Sequence, residues 1–301
     1  MATVAANDPA GLLDADFLDS LARLRIVARR VPRGGRFADQ TSSAMGSGLE
    51  FKDYRPYSPG DDLRAIDWNI YRRMGRVFVR LFEELEDLPV YLVPDVSASS
   101  FTGDSPRGRA GMRAALALGA VALGQHDSVG VFPFASDVRV ALPPASGKSR
   151  VWTLANAMAR IEVGGTTDIE ASLTKFGAMN LRRGLAVIVS DFFDPRGIEA
   201  LRAGLKRVRH QVLFVQTTLP TDSQPDLEGD LRLVDCESGE AHDVSVTGEV
   251  LRRYREAYAH FEGELMETAR KRGAGLVRLD ASAPVVPQLA HLFESGALRV
   301  D

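Results

Sequence analysis

Residues 88–100, LPVYLVPDVSASS, carry a short apolar run straight into a series of oxygen-bearing side chains. Leu88, Val90, Tyr91, Leu92 and Val93 form the kind of unbroken apolar stretch that a strand buried on both faces requires. Asp95, Ser97 and Ser99 then follow at every second position. A chain leaving a buried parallel strand must turn, and a turn can bring side chains at i, i+2 and i+4 to one point. Three hard oxygen donors gathered there suit Mg²⁺ or Mn²⁺, which take carboxylate, hydroxyl and water oxygens at about 2.0–2.1 Å in an octahedral shell. The same residues also suit a plainer role, a serine-rich loop whose hydroxyls cap the next helix.

Working outward, strands and helices alternate from Leu88 onward, which argues for βα units and a mostly parallel sheet. Strands are expected at 89–94, 129–135, 138–142, 185–190, 211–217 and 275–279. Between them lie apolar stripes at helical spacing: Met112, Leu116, Ala120 and Leu123; Val151, Leu154, Met158 and Ile161; Ile169, Leu173 and Phe176; Ile198, Leu201, Leu205 and Val208. These stripes are core faces. Only Ser136 and Asp137 separate the second and third strands, so the pair is expected to form an antiparallel hairpin at one edge. A second hairpin is expected within 223–246, turning around Glu237, Ser238, Gly239 and Glu240. A long helix from about Thr247 to Lys271 follows, with Leu251, Tyr254, Tyr258, Phe261 and Leu265 on one face.

Upstream, residues 1–10 read as disordered, and Phe17, Leu21, Leu24 and Ala28 mark a helix that Pro32 and the Gly34–Gly35 pair should end. Residues 40–80 mix aromatic, Gly, Pro and charged residues with little period. Within them Ser58, Pro59, Gly60 and Asp61 fit a type II turn. Two domains are therefore expected: 1–87, a helix with an irregular β segment, and 88–301, the sheet with the hairpin inserted at about 223–246.

Ligands of open parallel sheets collect outside the carboxyl ends of the strands. Two further loops reach that end. In VGGTTDIEASL (163–173), Gly164 and Gly165 permit an unusual turn before Thr166, Thr167 and Asp168. In SDFFD (190–194), Asp191 stands at the end of a strand. With these pieces assembled, the sequence resembles the von Willebrand factor A family, whose metal-ion-dependent adhesion site (MIDAS) combines DxSxS, a threonine from a second loop and an aspartate from a third. The resemblance implies Asp95, Ser97, Ser99, Thr166 and Asp191 as ligands of Mg²⁺ or Mn²⁺. Thr167 is an alternative to Thr166, and Ser100 and Asp168 stand as outer-shell candidates. The chain departs from the family at Phe192, where glycine commonly follows the third-loop aspartate. The implied fold is α/β, von Willebrand factor A-like (Rossmann-like), with about six strands, one of them an antiparallel edge, flanked by helices and joined to a small irregular β-containing subdomain.

The segment LEFKDYRPYSPGDDLRAIDWNIYRR (49–73) is similar to the signature of a bacterial subfamily, DUF 58, often paired with MoxR-type AAA ATPases. Tyr54, Arg55, Tyr57, Pro59, Gly60, Asp61, Asp62, Arg64, Ile66, Asp67 and Trp68 carry that likeness, as does LVDCESGE (233–240). It implies a non-enzymatic adaptor or chaperone-like role, binding an acidic side chain of a MoxR-type ATPase or its client through the metal. For Arg64, Asp67 and Trp68 two roles are open: a structural Arg–Asp pair with a packed indole, or a docking surface.

Composition narrows the alternatives. Net charge is −3, so the overall balance gives no electrostatic footprint for nucleic acid or an anionic membrane. Cys236 is the only cysteine, which excludes an intrachain disulfide and a cysteine-based zinc cluster and suits a reducing, cytoplasmic setting. No run approaches the roughly 18 apolar residues of a membrane span. The N-terminus lacks signal-peptide features, and a monomer is expected. A Mg²⁺-dependent phosphohydrolase with Asp95 as nucleophile is the rival activity, but it generally needs a second carboxylate two residues on. Position 97 is serine. There is no GxxxxGK[ST] loop either, so the chain should not hydrolyse ATP alone.

Overall fold

The computed structural model describes residues 14–30, 49–84, 88–102 and 105–294. The chain divides into two units, one formed by 1–34 with 88–301 and the other by 35–87. The first helix therefore belongs with the sheet, which corrects the expected boundary at residue 87. The physical reason lies in its apolar stripe: Phe17, Leu21 and Leu24 are buried in a core shared with sheet and helix residues of the larger unit. The expected helix stop at Pro32 and Gly34–Gly35 lies outside the described residues, as do residues 1–10.

In chain order the elements are α1 (Ala15–Arg30), β1 (Leu49–Pro56), α2 (Trp68–Met74), β2 (Phe78–Glu84), β3 (Pro89–Pro94), α3 (Ala98–Phe101), α4 (Arg107–Gly124), β4 (Ser128–Val131), β5 (Leu142–Ala145) and α5 (Val151–Ala159). They continue with α6 (Ile169–Ala178), β6 (Leu185–Ser190), α7 (Ile198–Leu205), β7 (Gln211–Thr218), α8 (Pro220–Ser223), β8 (Gly229–Val234), β9 (Ala241–Val246), α9 (Gly248–Arg272), β10 (Gly275–Asp280) and α10 (Val285–Glu294).

The larger unit is an α/β fold around a six-stranded sheet of order β10-β7-β6-β3-β4-β5. All neighbours are parallel except β4 and β5, so the one antiparallel strand sits at an edge. The arrangement is consistent with a von Willebrand factor A-like fold. Alternate residues of each strand feed two separate cores. Leu92, Val131, Val187 and Val215 face the side of α1, α4, α5 and α10. Tyr91, Val93, Ile188 and Phe214 face the side of α6, α7 and α9. Burial on both faces explains why the strands read as continuous apolar runs.

Packing against the sheet is close enough at one point to require glycine. A methyl group on Gly119 of α4 would lie 2.8 Å from Leu92 Cδ1 and 2.8 Å from Leu154 Cδ2, well inside van der Waals contact.

The edge hairpin differs from expectation. Its regular ladder pairs 129–131 with 142–145, and the expected partner run 138–142 joins it through Ala141 N–H on Val131 O at 2.9 Å and Arg139 N–H on Pro133 O at 3.0 Å. Ser136 and Asp137 do lie at the turn, where Phe134 bridges Val138. Pro133 has no N–H to donate and interrupts the ladder. On its other side the run continues its parallel pairing with the β3 segment, with Phe132 N–H donating to Leu92 O at 2.7 Å, Phe134 N–H donating to Pro94 O at 3.0 Å and Phe134 O accepting from Val96 N–H at 2.8 Å. That continued pairing ties the chain to the first site loop. Pro143 and Pro144 can sit in β5 because it is an edge strand.

The inserted hairpin β8–β9 forms its own two-stranded sheet, as expected. In the smaller unit, β1 and β2 pair antiparallel with an irregularity between Phe51 and Asp53. Gly60 takes φ 108° in the turn where Asp61 N–H donates to Ser58 O at 3.0 Å, a conformation that favours glycine.

Candidate metal centre

Three loops leave the carboxyl ends of the sheet side by side, and backbone hydrogen bonds fasten them. Asp95 N–H donates to Val189 O at 2.8 Å, which ties the end of β3 to β6. Gly164 N–H donates to Val96 O at 2.8 Å, and Ala98 N–H donates to Gly165 O at 2.9 Å. Gly164 and Gly165 adopt φ 132° and 89° to make this approach, so the paired glycines seat the second loop against the first.

Within this frame the first loop closes on itself. Asp95 Oδ1 accepts from Ser97 N–H at 2.9 Å, and the Ser97 and Ser99 hydroxyl oxygens stand 3.1 Å apart. Ser97 occupies the N-cap position of α3 without a side-chain capping bond. Its hydroxyl therefore turns to the cluster, unlike the plain capping role. Ser100 is buried inside α3.

The third loop contributes twice. The Ser190 hydroxyl donates to Asp95 Oδ2 at 2.7 Å and accepts from Phe192 N–H at 2.9 Å. Asp191 follows, its Oδ1 accepting from Phe193 N–H at 3.0 Å and its Oδ2 lying 3.7 Å from Arg107 Nη1. Phe192 stands where glycine is common in the family, and it takes the glycine-like φ of 63°. Its ring is 1% exposed and meets Phe214 edge-on, with centroids 5.4 Å apart.

Asp95 and Asp191 are both buried, at 7% and 6% exposure. Burial pushes the Asp95 carboxyl above the usual carboxylate range, against the hydrogen bonds from Ser190 and Ser97. Burial first, and then the charge of Asp95, pushes Asp191 up to about 7, with the Phe193 N–H and Arg107 pulling the other way. Two buried carboxylates that disfavour each other's charge form a site with excess negative potential. Arg107 offsets part of it, but its other nitrogen pairs with Asp222. A divalent cation would relieve both carboxylates at once. The donor set of hard carboxylate and hydroxyl oxygens is the kind that Mg²⁺ and Mn²⁺ take. The residues therefore fit such an ion. Among the described residues no group of three or more His, Cys, Asp or Glu could hold a metal, so hydroxyls would have to complete the set.

The second-loop residues separate. Thr166 is exposed in the loop that Gly164 and Gly165 fasten. Thr167 is committed elsewhere, its N–H donating to Glu237 Oε2 at 2.8 Å and its hydroxyl to Oε1 at 2.7 Å. Asp168 caps α6 by accepting from Ala171 N–H at 2.9 Å and pairs with Arg196 at 2.6 Å. Arg196 also holds Asp194 and Glu170, clamping the third loop to the start of α6.

In the smaller unit the expected Arg64–Asp67 pair does not form. Asp67 is buried and takes Arg80 at 3.1 Å and the Tyr54 hydroxyl at 3.2 Å, while its Oδ1 caps α2 by accepting from Asn69 and Ile70 N–H. Arg64 follows the cap residue Asp62 and is exposed, and Trp68 is 58% exposed with its ring edge-on to Tyr71. The indole is thus not packed inside the unit. Asp67 prefers Arg80 because β2 pairs with β1 and brings Arg80 opposite Tyr54, a long-range partner that local spacing does not reveal.

Four residues that contact the candidate site or its loops belong to no motif in the sequence: Ser190, Arg107, Asp222 and Glu237. Only Ser190 had a local signal, as a hydroxyl ending an otherwise apolar strand.

Comparison with known proteins agrees with the residue pattern. The sequence profile described as "Protein of unknown function DUF58" matches residues 53–264. The uncharacterized protein Mb1516 of Mycobacterium bovis is 28% identical over 286 residues, covering 90% of this chain and 88% of that protein. The uncharacterized protein MAV169 of Mycobacterium avium is 29% identical over 168 residues, covering 52% of this chain and 96% of its own length. Among solved structures, the conserved hypothetical protein BatB from Bacteroides thetaiotaomicron aligns over 70% of this chain and 98% of that one, at 16% identity and a TM-score of 0.42. No helix among the described residues is long and apolar enough to cross a membrane.

Proposed function

Since this chain belongs to the DUF58 family, we propose that it is a non-enzymatic, metal-dependent protein-binding module acting in the cytoplasm, an adaptor or chaperone-like partner of a MoxR-type AAA ATPase. The observation that carries the metal reading is the burial of Asp95 and Asp191 together at the ends of β3 and β6, beside the paired hydroxyls of Ser97 and Ser99. Asp95, Ser97, Ser99, Thr166 and Asp191 would hold Mg²⁺ or Mn²⁺. When bound, the ion supplies residual positive charge and exchangeable positions that a partner's Asp or Glu carboxylate can fill.

This chain's own residues prepare the site. Ser190 orients Asp95 and leaves Asp191 directed by the Phe193 N–H. Arg107, fixed by Asp222, limits the negative charge before any ion arrives. The MoxR-type partner rests on the family resemblance of the Tyr54–Trp68 segment, whose exposed Leu63 and Trp68, with Met74 just beyond it, offer a second contact surface. A pull-down of the ATPase and its client with the full chain tests the reading. Binding should need Mg²⁺ or Mn²⁺ and fall with EDTA or Asp95→Ala. Undiminished binding in EDTA would move docking to the Tyr54–Trp68 segment, and Mg²⁺-dependent phosphatase activity lost in Asp95→Ala would replace the adaptor reading with the hydrolase.

A further inference from the structure

The β5 edge of the large sheet carries an unused pair of backbone groups beside a groove. The run 139–141 bonds inward on alternate residues, with Arg139 N–H on Pro133 O at 3.0 Å and Ala141 N–H on Val131 O at 2.9 Å. Successive residues of an antiparallel strand turn their N–H and C=O to opposite sides. The N–H and C=O of Val140 therefore point away from the sheet, and neither has a partner among the described residues. Val140 is 53% exposed. Further on, Pro143 and Pro144 offer no N–H and blunt the edge, which confines added pairing to the stretch around Val140.

A groove of about 560 Å³ runs beside this stretch, lined by Arg139, Val140 and Ala141 on the edge and by Asn156, Ala157 and Arg160 across from it. Arg139 and Ala141 alternate with Val140, so their side chains stand on the sheet face that α5 covers. Ala141 packs there against the core that Leu154 and Met158 of α5 share. Charge in the groove is mainly positive. Arg139 reaches Glu162 at 3.6 Å, but that carboxylate is 89% exposed, and such a pair holds weakly. Arg160 is exposed and makes no ion pair among the described residues.

We propose that this edge takes an extended, acidic segment of a partner protein by strand addition. One residue of the segment exchanges backbone hydrogen bonds with Val140, and the side chains on either side of it fall on the face of Arg139 and Ala141. An Asp or Glu at such a flanking position meets Arg139 and Arg160 in charge-assisted hydrogen bonds. A second copy of the chain is a poorer occupant, because the residues flanking its own Val140 are Arg139 and Ala141, which would set arginine against arginine. The surface lies apart from the metal centre and does not depend on it.

The test titrates the ¹⁵N-labelled full chain, in EDTA so that the metal centre plays no part, with a blocked five-residue peptide that has a central valine, a glutamate on each side and threonine at both ends. The amide resonances of residues 139–141 should shift on titration. Methylating the backbone nitrogen of the peptide's central valine removes the donor to Val140 without touching the protein, and replacing both glutamates by glutamine removes the charge. Each change should weaken binding about tenfold. Arg160→Gln, at an exposed position, should weaken the glutamate peptide by a similar factor and leave the glutamine peptide unaffected. No shift at residues 139–141 with peptide up to about 5 mM, or equal binding by the methylated peptide, overturns the proposal. Shifts at 139–141 that follow protein concentration without peptide overturn it too, in favour of pairing between two copies.

Discussion

The Ser190 hydroxyl donates to Asp95 Oδ2 at 2.7 Å and so locks the last residue of β6 to the first residue beyond β3. It also accepts from the Phe192 N–H, so one side chain aims Asp95 and fixes the backbone of the turn just after Asp191. Ser190→Ala should therefore weaken Mn²⁺ binding about tenfold or more, the usual scale for losing a group that orients a metal ligand. It should also destabilise the fold by about 1–3 kcal/mol, since a hydrogen bond to a buried acceptor is lost. Calorimetric titration with Mn²⁺ and denaturant unfolding check the two effects separately.

Phe192 combines a glycine-like φ of 63° with a fully buried ring. Replacing it with alanine removes the ring and keeps the unfavourable backbone, for a loss of about 3–5 kcal/mol. Replacing it with glycine loses the same packing but relieves about 1–2 kcal/mol of left-handed strain. Phe192→Gly should thus be the more stable of the two variants, the reverse of the order expected in a helix or strand. Equal urea midpoints for the two would contradict this account of the turn.

Arg107 is the cation between Asp191 and Asp222, with both partners buried. Arg107→Met keeps much of the apolar stem and leaves two carboxylates without their ion pair. Loss of about 3–5 kcal/mol is expected in metal-free buffer. Saturating Mn²⁺ should recover part of it through Asp191. Thermal unfolding of wild type and variant, each with Mn²⁺ and with EDTA, measures the difference.

His210 lies among Tyr91 and Phe176 at centroid distances of 4.7 Å and 5.3 Å, with no hydrogen-bond partner for its Nδ1 among the described residues. Burial, helped by the charge of Arg183, lowers its pKa from 6.5 to about 4. Between those values the unfolded chain binds the proton and the folded chain does not. The stabilising effect of a neutral His210 is therefore complete above about pH 6.5 and is lost as pH falls toward 4. Wild type should lose stability relative to His210→Phe at about 1.4 kcal/mol per pH unit across that window. A constant difference between the two proteins would show that the imidazole titrates normally.

The central strands β3, β4, β6 and β7 were legible because they are buried on both faces, and helices such as α6 and α7 because they bury one face, patterns that the sequence records locally. Val129 to Ala135 was legible as one arm of the hairpin with 138–142, but the contact of its Phe134 with Pro94 and Val96 was not, since it joins residues about 40 positions apart. The DxSxS loop and Asp191 were legible as spacing, and Ser136–Asp137 as a turn. Arg107, Asp222 and Glu237 were not, since each acts across a gap that only the folded chain closes. Asp67 shows the same limit: its sequence neighbour Arg64 points to a pair, while the β1–β2 register supplies Arg80 instead.

The most direct measurement is a Mn²⁺ titration of the metal-free full chain beside Asp95→Ala, followed by calorimetry and by the electron paramagnetic resonance of free Mn²⁺. One Mn²⁺ should bind per wild-type chain and none at the same concentrations in Asp95→Ala, with circular dichroism unchanged between them because the two cores, not the ion, hold the fold. Equal Mn²⁺ affinity in the two proteins would contradict the assignment of Asp95, Ser97, Ser99, Thr166 and Asp191 as a metal centre.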